Sequence, residues 1–187
     1  MGTSAKKEPL LTPWLRNLRI SVAAPYLSGD VLDIGFGSGL LASRVPAQSY
    51  YGFDTDQAAV ARARVAYPDH TFSDTLPEGR SFDHVIALAV IEHTPDPAAF
   101  LATCARFLTQ DGTVFITTPN PTLEWLHGVA ASVGLLSHEA HEDHQSVVGR
   151  AALTTAAGAA GLRVEEFRYF MLGANQALAL SRQRKDV

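Results

Sequence analysis

Short apolar runs and longer amphipathic runs alternate along most of this chain. Short β-branched or aromatic runs bounded by Gly, Pro or Asp predict strands, and apolar residues at three- and four-residue spacing predict helices. The predicted strands are 31–34, 50–53, 71–72, 83–88, 113–118, 162–169 and 176–181. The predicted helices are 10–27, 38–44, 56–67, 96–108 and 150–160. Alternating strands and helices followed by two closing strands predict a doubly wound α/β sheet.

Composition and charge indicate the general class of protein, but they do not indicate which reaction it catalyses. The 187 residues, 47% hydrophobic and 18% charged, fit one globular domain over 1–187, with polar residues 1–9 expected to be mobile. A net charge of -4 and the lack of a basic stripe argue against a nucleic-acid partner. Cys104 lies in a helical apolar pattern, which predicts a buried structural thiol. With neither a signal-peptide pattern nor a membrane-length apolar run, we expect a cytoplasmic protein that does not bind membranes.

The segment from Val31 to Gly39 is the most informative part of the chain. A β-branched run leads into Asp33, and three glycines follow at alternate positions. Fifteen residues after Gly39, a second predicted strand ends at Asp54. A strand, a glycine turn, a helix and a second strand hold a nucleotide-like ligand at the carboxyl edge of such a sheet. An acid at the tip of the second strand can accept hydrogen bonds from both ribose hydroxyls.

The spacing of the glycines separates two classes of ligand. A dinucleotide fingerprint reads G-x-G-x-x-G, whereas this turn reads G-x-G-x-G and has Leu40 where the third dinucleotide glycine would stand. Asp33 would place a carboxylate near the turn, which suits a cationic ammonium or sulfonium better than a pyrophosphate. A nicotinamide-dependent oxidoreductase is therefore disfavoured. A glycine-rich turn that binds no ligand stays as the simplest alternative.

The pattern D-x-G-x-G-x-G resembles the first motif of class I S-adenosylmethionine-dependent methyltransferases. The runs 81–86, 90–93 and 108–113 (SFDHVI, VIEH and LTQDGT) resemble later motifs of that family, so the resemblance spans about residues 28–120. The TTPNP run at 117–121 is similar to the subgroup that includes ubiquinone-pathway O-methyltransferases. The resemblance implies a Rossmann-like, mostly parallel seven-stranded sheet that ends in an antiparallel hairpin. It also implies S-adenosylmethionine as cofactor and methyl transfer to oxygen or nitrogen of a small-molecule acceptor.

The same resemblance assigns cofactor-binding roles to residues at or just after the carboxyl ends of the first four predicted strands. The assigned residues are Asp33, Gly35, Gly37, Gly39, Asp54, Thr55, Asp56, Asp74, Thr75, Leu88 and Ala89. In the family, residues at these positions lie near the methionine end (Asp33), the ribose (Asp54) and the adenine amino group (Asp74). The stretch around Asp74 is shorter than the family pattern, and a turn-forming aspartate is the alternative there.

Methyl transfer asks little of side chains, because the sulfonium is already an activated donor. The protein must align the acceptor, exclude water and, for some acceptors, remove a proton. His93, just beyond the fourth strand, is the candidate general base, with packing under the loop as its structural alternative. Two broader alternatives also stay open, a non-catalytic cofactor-binding or regulatory module of the same fold and a protein substrate.

The segment 122–149 interrupts the regular alternation and is a candidate lid over the acceptor site. It leaves the sheet at the carboxyl edge, and Trp125 and His127 are candidate lining residues. Three histidines, His138, His141 and His144, follow at three-residue spacing. No cysteine joins them and no family motif supports a metal site, so we predict no metal.

Overall fold

The computed structural model describes residues 12–121 and 148–183. These residues form a seven-stranded sheet with the strand order β3-β2-β1-β4-β5-β7-β6. The strands are β1 (Val31–Ile34), β2 (Tyr50–Phe53), β3 (Thr71–Ser73), β4 (Phe82–Leu88), β5 (Leu108–Pro119), β6 (Leu162–Phe170) and β7 (Asn175–Arg182). The first five strands pair in parallel, and β7 is antiparallel to both β5 and β6. The predicted fold class is therefore confirmed.

Four α-helices lie in the described part of the chain. They are α1 (Thr12–Ala23), α2 (Gln57–Ala66), α3 (Pro97–Arg106) and α4 (Arg150–Ala159). Asp56 and Asp96 cap α2 and α3, because each carboxylate accepts from a backbone N–H two residues on, at Ala58 and Ala98. Pro97 starts α3, where its missing N–H costs no helical hydrogen bond.

Two sequence predictions are wrong in detail. The predicted helix 38–44 is a 3-10 helix over Leu40–Arg44, because the glycine turn consumes the preceding residues and Pro46 leaves no room for a longer helix. The turn predicted at 110–112 lies inside β5. There Phe82 pairs with Leu108 and His84 with Thr113, so the extra residues of β5 form an irregular bulge rather than ending the strand.

Alternating residues of the central strands pack on opposite faces of the sheet, as the strand period of two requires. On one face, Leu32, Val85 and Ile116 join the cluster that α3 and α4 cover. On the other face, Val31 and Phe115 join the cluster that α1 and α2 cover. Cys104 of α3 is buried, as predicted, and its burial raises the pKa of the thiol to about 12.

The carboxyl ends of the parallel strands share one edge of the sheet, called here the carboxyl edge. The hairpin between β6 and β7 also turns at this edge, since Pro119 at the end of β5 pairs with Asn175 at the start of β7. None of the described helices combines the length and apolarity that a membrane span requires.

Gly52 of β2 supplies a test of core packing. A Cβ there would lie 2.7 Å from Phe72 Cδ1 and 3.0 Å from the hydroxyl of Tyr50. We expect Gly52→Ala to lower the free energy of unfolding by about 1–3 kcal/mol, because these rings must move. Gly158→Ala in α4 is the control, since a Cβ there meets nothing within 4 Å. Urea unfolding should show that G158A is at least as stable as wild type, and equal losses in both variants would contradict the packing argument.

Candidate active site

The glycine turn after β1 is packed on one side and open at its centre. Gly35, Gly37 and Gly39 have φ angles of 69°, 54° and 71°, in the left-handed region that favours glycine. The N–H of Gly35 donates to the carbonyl of Phe53 at 2.7 Å, and a Cβ on Gly35 would lie 2.6 Å from Val90 Cγ2. A Cβ on Gly37 would meet nothing within 4 Å. The turn thus has space for a ligand above Gly37 and a close-packed base below.

Asp54 connects this turn to the start of α2. The N–H of Gly37 donates to Asp54 Oδ2 at 2.8 Å, and the N–H of Asp56 donates to Asp54 Oδ1 at 3.0 Å. Each carboxylate oxygen has two lone pairs, so both oxygens keep acceptor capacity. The two backbone donors fix the orientation of the carboxylate, and the remaining capacity fits a pair of hydroxyl donors.

Asp33 is buried under the glycine turn. The hydroxyl of Tyr50 donates to Asp33 Oδ2 at 2.8 Å. The pKa of Asp33 is raised to about 7, because burial raises it strongly, the hydrogen bond from Tyr50 lowers it in part, and the negative charge of Asp54 raises it. A positive charge placed close to this carboxyl would stabilise its ionised form.

The ends of β2 and β3 bring the other predicted adenosine residues together. The N–H of Asp54 donates to the carbonyl of Ser73 at 3.1 Å, so Asp74 follows at the same edge. The amide of Gln57 donates to Asp74 at 3.1 Å, and Tyr51 donates to the carbonyl of Thr75 at 3.0 Å.

Thr55 and Asp56 are both exposed at the start of α2. The Asp56 carboxylate accepts the N-cap hydrogen bond of α2. Hydrogen bonds from the Ala58 and Ala59 N–H groups lower the pKa of Asp56, and Arg62 lies 3.4 Å away. The cap therefore leaves Asp56 with less acceptor capacity than Asp54.

The turn after β4 carries the candidate base. Leu88 and Ala89 are half-buried, and the N–H of Ala89 donates to the carbonyl of Thr117 at 2.9 Å. Ala89 has a φ of 59°, which strains a residue with a Cβ and often marks a functional site. His93 ends the following 3-10 helix and is exposed. Val90 follows Ala89, precedes the 3-10 helix that ends at His93, and contacts Gly35. The turn that carries His93 therefore packs against the glycine turn.

A buried polar cluster that sequence analysis missed lies beside His93. Glu92 is buried, which raises its pKa, while the positive charges of Arg19 and His93 lower it. Arg19 of α1 donates to Asn175 Oδ1 at 3.2 Å across 156 positions of sequence. A hydrogen bond with Thr118 also lowers the pKa of Glu92, and the buried Nε of Arg19 has no hydrogen-bond partner. No local pattern could join α1, the turn after β4 and β7, so only the fold reveals this cluster.

Several predicted site residues lie outside the described residues. They are Trp125, His127, His138, His141 and His144, together with most of the candidate lid at 122–149. Within residues 12–121 and 148–183, no three His, Cys, Asp or Glu side chains are grouped as metal ligands would be.

The family model described as "Methyltransferase domain" matches residues 13–166. This chain belongs to that family. It is also 30% identical to the ubiquinone biosynthesis O-methyltransferase of Neisseria meningitidis serogroup C, over 79% of this chain and 71% of the relative. The enzyme of the same name from Caulobacter vibrioides is 34% identical over 55% of this chain and 46% of the relative. The chain thus spans about half the length of several curated relatives it matches.

Solved methyltransferase structures share the fold of this domain. Magnesium protoporphyrin IX methyltransferase from Synechocystis with bound S-adenosylhomocysteine has a TM-score of 0.64 and 22% identity, over 91% of this chain and 83% of that chain. A putative methyltransferase of Haloferax volcanii, solved in complex with the Trm112 activator, has a TM-score of 0.68 and 16% identity, over 96% of this chain and 100% of that chain. At these identities the likeness concerns the fold.

The contact between Gly35 and Val90 predicts a substitution effect specific to this turn. Gly35→Ala adds left-handed strain and a clash with Val90, whereas Gly79→Ala, at φ 64°, adds strain alone because a Cβ there meets nothing within 4 Å. We expect chemical denaturation to show a larger loss for G35A by about 1–3 kcal/mol. Val90→Ala should restore part of that excess in the G35A background. Equal losses for G35A and G79A would contradict the contact.

The raised pKa of Asp33 predicts a pH-dependent stability difference. The unfolded carboxyl loses its proton near pH 4, whereas the native carboxyl keeps it until about pH 7. The native state therefore binds more protons than the unfolded state in this window, so this group lowers stability as pH rises from 4 to 7. We expect Asp33→Asn to gain stability relative to wild type across that window, by on the order of 2–4 kcal/mol, and no further above it. Urea titrations of both proteins at pH 4 to 8 measure this difference, and a constant difference would refute the buried-carboxyl assignment.

Proposed function

We propose that this chain binds S-adenosylmethionine and transfers its methyl group to oxygen or nitrogen of a small molecule. One observation carries the proposal. The glycine turn is open above Gly37, and the N–H of that residue fixes Asp54 at the rim of the opening. Membership of the methyltransferase family supports the assignment. It does not favour a nicotinamide-dependent oxidoreductase or a non-catalytic module.

The residues at the carboxyl edge fit the chemistry of this cofactor part by part. Asp33 would provide a negative potential for the ammonium and sulfonium end, and Asp54 would accept from the ribose hydroxyls. Asp74 and Thr75 would flank the adenine, with Thr55 and Asp56 at the entrance. Leu88 and Ala89 would contribute the backbone at the end of β4.

When bound, S-adenosylmethionine supplies a methyl group that is already activated for transfer. The contributions left to the chain are alignment of the acceptor, exclusion of water and control of one proton. We assign the proton to His93, which is exposed on the turn that contacts the glycine turn through Val90. An imidazole can accept a proton from an acceptor hydroxyl near neutral pH.

The acceptor class follows from the relatives rather than from the site. Two of those compared above are named ubiquinone biosynthesis O-methyltransferases, which favours a hydroxyl group on a small molecule as the methyl acceptor.

We further propose that 122–149 acts as a lid, since it begins where Pro121 follows β5 at the carboxyl edge. A cytoplasmic location belongs to the same proposal, because a buried, unpaired Cys104 fits a reducing compartment.

Asp54 gives the sharpest test of the cofactor assignment. Loss of two charge-assisted hydrogen bonds should weaken binding of S-adenosylhomocysteine at least tenfold in Asp54→Ala. Asp69→Ala is the matched control, since Asp69 is an exposed aspartate before β3 at the opposite edge. Isothermal titration measures both affinities, and thermal unfolding checks that D54A is folded. Unchanged affinity in folded D54A would overturn the ribose assignment, and binding of NAD alone by wild type would overturn the proposed function.

A further inference from the structure

Gly52 of β2 lies beside Asp33 of β1 in the parallel register of the two strands. Because Gly52 has no side chain, the ring of Tyr50, two residues earlier on the same face of the sheet, can extend over this position. A Cβ on Gly52 would lie 3.0 Å from the Tyr50 hydroxyl. That hydroxyl donates to Asp33 Oδ2 at 2.8 Å. The glycine therefore leaves the space through which Tyr50 reaches the carboxyl of the neighbouring strand.

Packing holds the Tyr50 ring in this position. The side chain is fully buried, and its ring centroid lies 5.4 Å from that of Phe72 and 5.5 Å from that of His70. Burial and the nearby charge of Asp33 raise the pKa of Tyr50 well above its ordinary value, and Tyr67 acts in the same direction. The hydroxyl consequently keeps its proton. A proton donor is thus fixed beside the Asp33 carboxyl.

The surroundings of Asp33 offer this carboxyl no positive charge. Asp33 is 3% exposed, and β4 places the apolar Ile86 beside it. Within residues 12–121 and 148–183, no lysine, arginine or histidine forms an ion pair with it. The ionisable groups that act on its pKa are Tyr50, through the hydrogen bond, and Asp54, through a like charge. Burial of an acid in such surroundings disfavours its ionised form.

A cationic ligand at the glycine turn would reverse this balance. Asp33 comes two residues before Gly35, where the turn begins, and Asp54 stands at the rim of the opening above Gly37. S-adenosylmethionine carries positive charge on its ammonium and sulfonium groups. A positive charge close to Asp33 favours the ionised carboxyl, which then offsets that charge in return.

We propose that Tyr50 is a positioning residue for Asp33, and that binding of S-adenosylmethionine expels one proton from the Asp33 carboxyl to solvent. The inference rests on the proposed function and adds a pH-dependent step to cofactor binding. Asp33 is a counter-charge only when it is ionised, and the hydrogen bond from Tyr50 stabilises that form. A ligand that prefers the ionised form binds more tightly as pH rises through the ionisation of the free protein. Tyr50 therefore helps to set the pH at which the cofactor binds.

Isothermal titration with S-adenosylmethionine, in buffers of different ionisation enthalpy, counts the protons released by wild type. Because the pKa of Asp33 is about 7, we expect release of about half a proton at pH 7 and nearly one at pH 6. The affinity should rise about tenfold from pH 6 to pH 8, as the ionised fraction grows from about a tenth to about nine-tenths. Asp33→Asn should lack both effects, so it measures what His93 and the cofactor's own amino group contribute.

The wild-type measurement separates this inference from the proposed function. Binding of S-adenosylmethionine with no proton release at pH 6, or with the same release in wild type and D33N, would overturn the inference alone. Failure of wild type to bind either S-adenosylmethionine or S-adenosylhomocysteine would overturn the proposed function.

The variants Tyr50→Phe and Tyr67→Phe separate positioning from packing. Each removes one hydroxyl from the same aromatic cluster, but only Tyr50 donates to Asp33. Without that hydrogen bond Asp33 ionises at higher pH, so Y50F should bind S-adenosylmethionine at least about threefold more weakly at pH 7. The deficit should shrink at pH 8.5, and Y67F should follow the wild-type pH profile. A deficit in Y50F that is equal at every pH, or equal in both variants, would show a structural effect and overturn the role of Tyr50.

Discussion

Gly35 has room for only a hydrogen atom where β1 meets the turn after β4. Its N–H holds the end of β2 through Phe53, and its α-carbon packs against Val90. This single close approach joins three strand ends. Because β1 lies between β2 and β4 in the sheet, this contact fixes the strand ends that lead to Asp54 and to His93. Asp54 lies one residue beyond Phe53, and His93 lies three residues beyond Val90.

The carboxyl edge carries two buried acids, Asp33 and Glu92, whose ionised forms are disfavoured by burial. Asp33 has one neutral hydrogen bond from Tyr50, and Glu92 has a nearby guanidinium from Arg19 and a hydrogen bond with Thr118. Burial of a carboxylate without full compensation costs several kcal/mol. In the proposed function the two acids have different purposes. Asp33 would attract the cationic end of the cofactor. The charge of Arg19 would hold Glu92, and with it the turn of His93, close to α1.

Local sequence determined the elements and the identity of the cofactor motif. Periodicity predicted each strand within about two residues in all cases but β5, and the aspartate and proline at 96–97 predicted the start of α3. The spacing of three glycines between Asp33 and Asp54 predicted the ligand class, because the geometry of a tight turn is encoded by adjacent residues. Membership of the methyltransferase family agrees with that prediction.

Tertiary structure decided what depends on residues distant in sequence. Tyr50 donates the hydrogen bond that the buried Asp33 accepts, and Arg19 offsets the charge of Glu92, and neither relation leaves a local pattern. The bulge of β5 arises only when β4 pairs with it. Sequence patterns report the preferences of neighbouring residues, whereas burial, charge compensation and imposed strain are properties of contacts that form only in the folded chain.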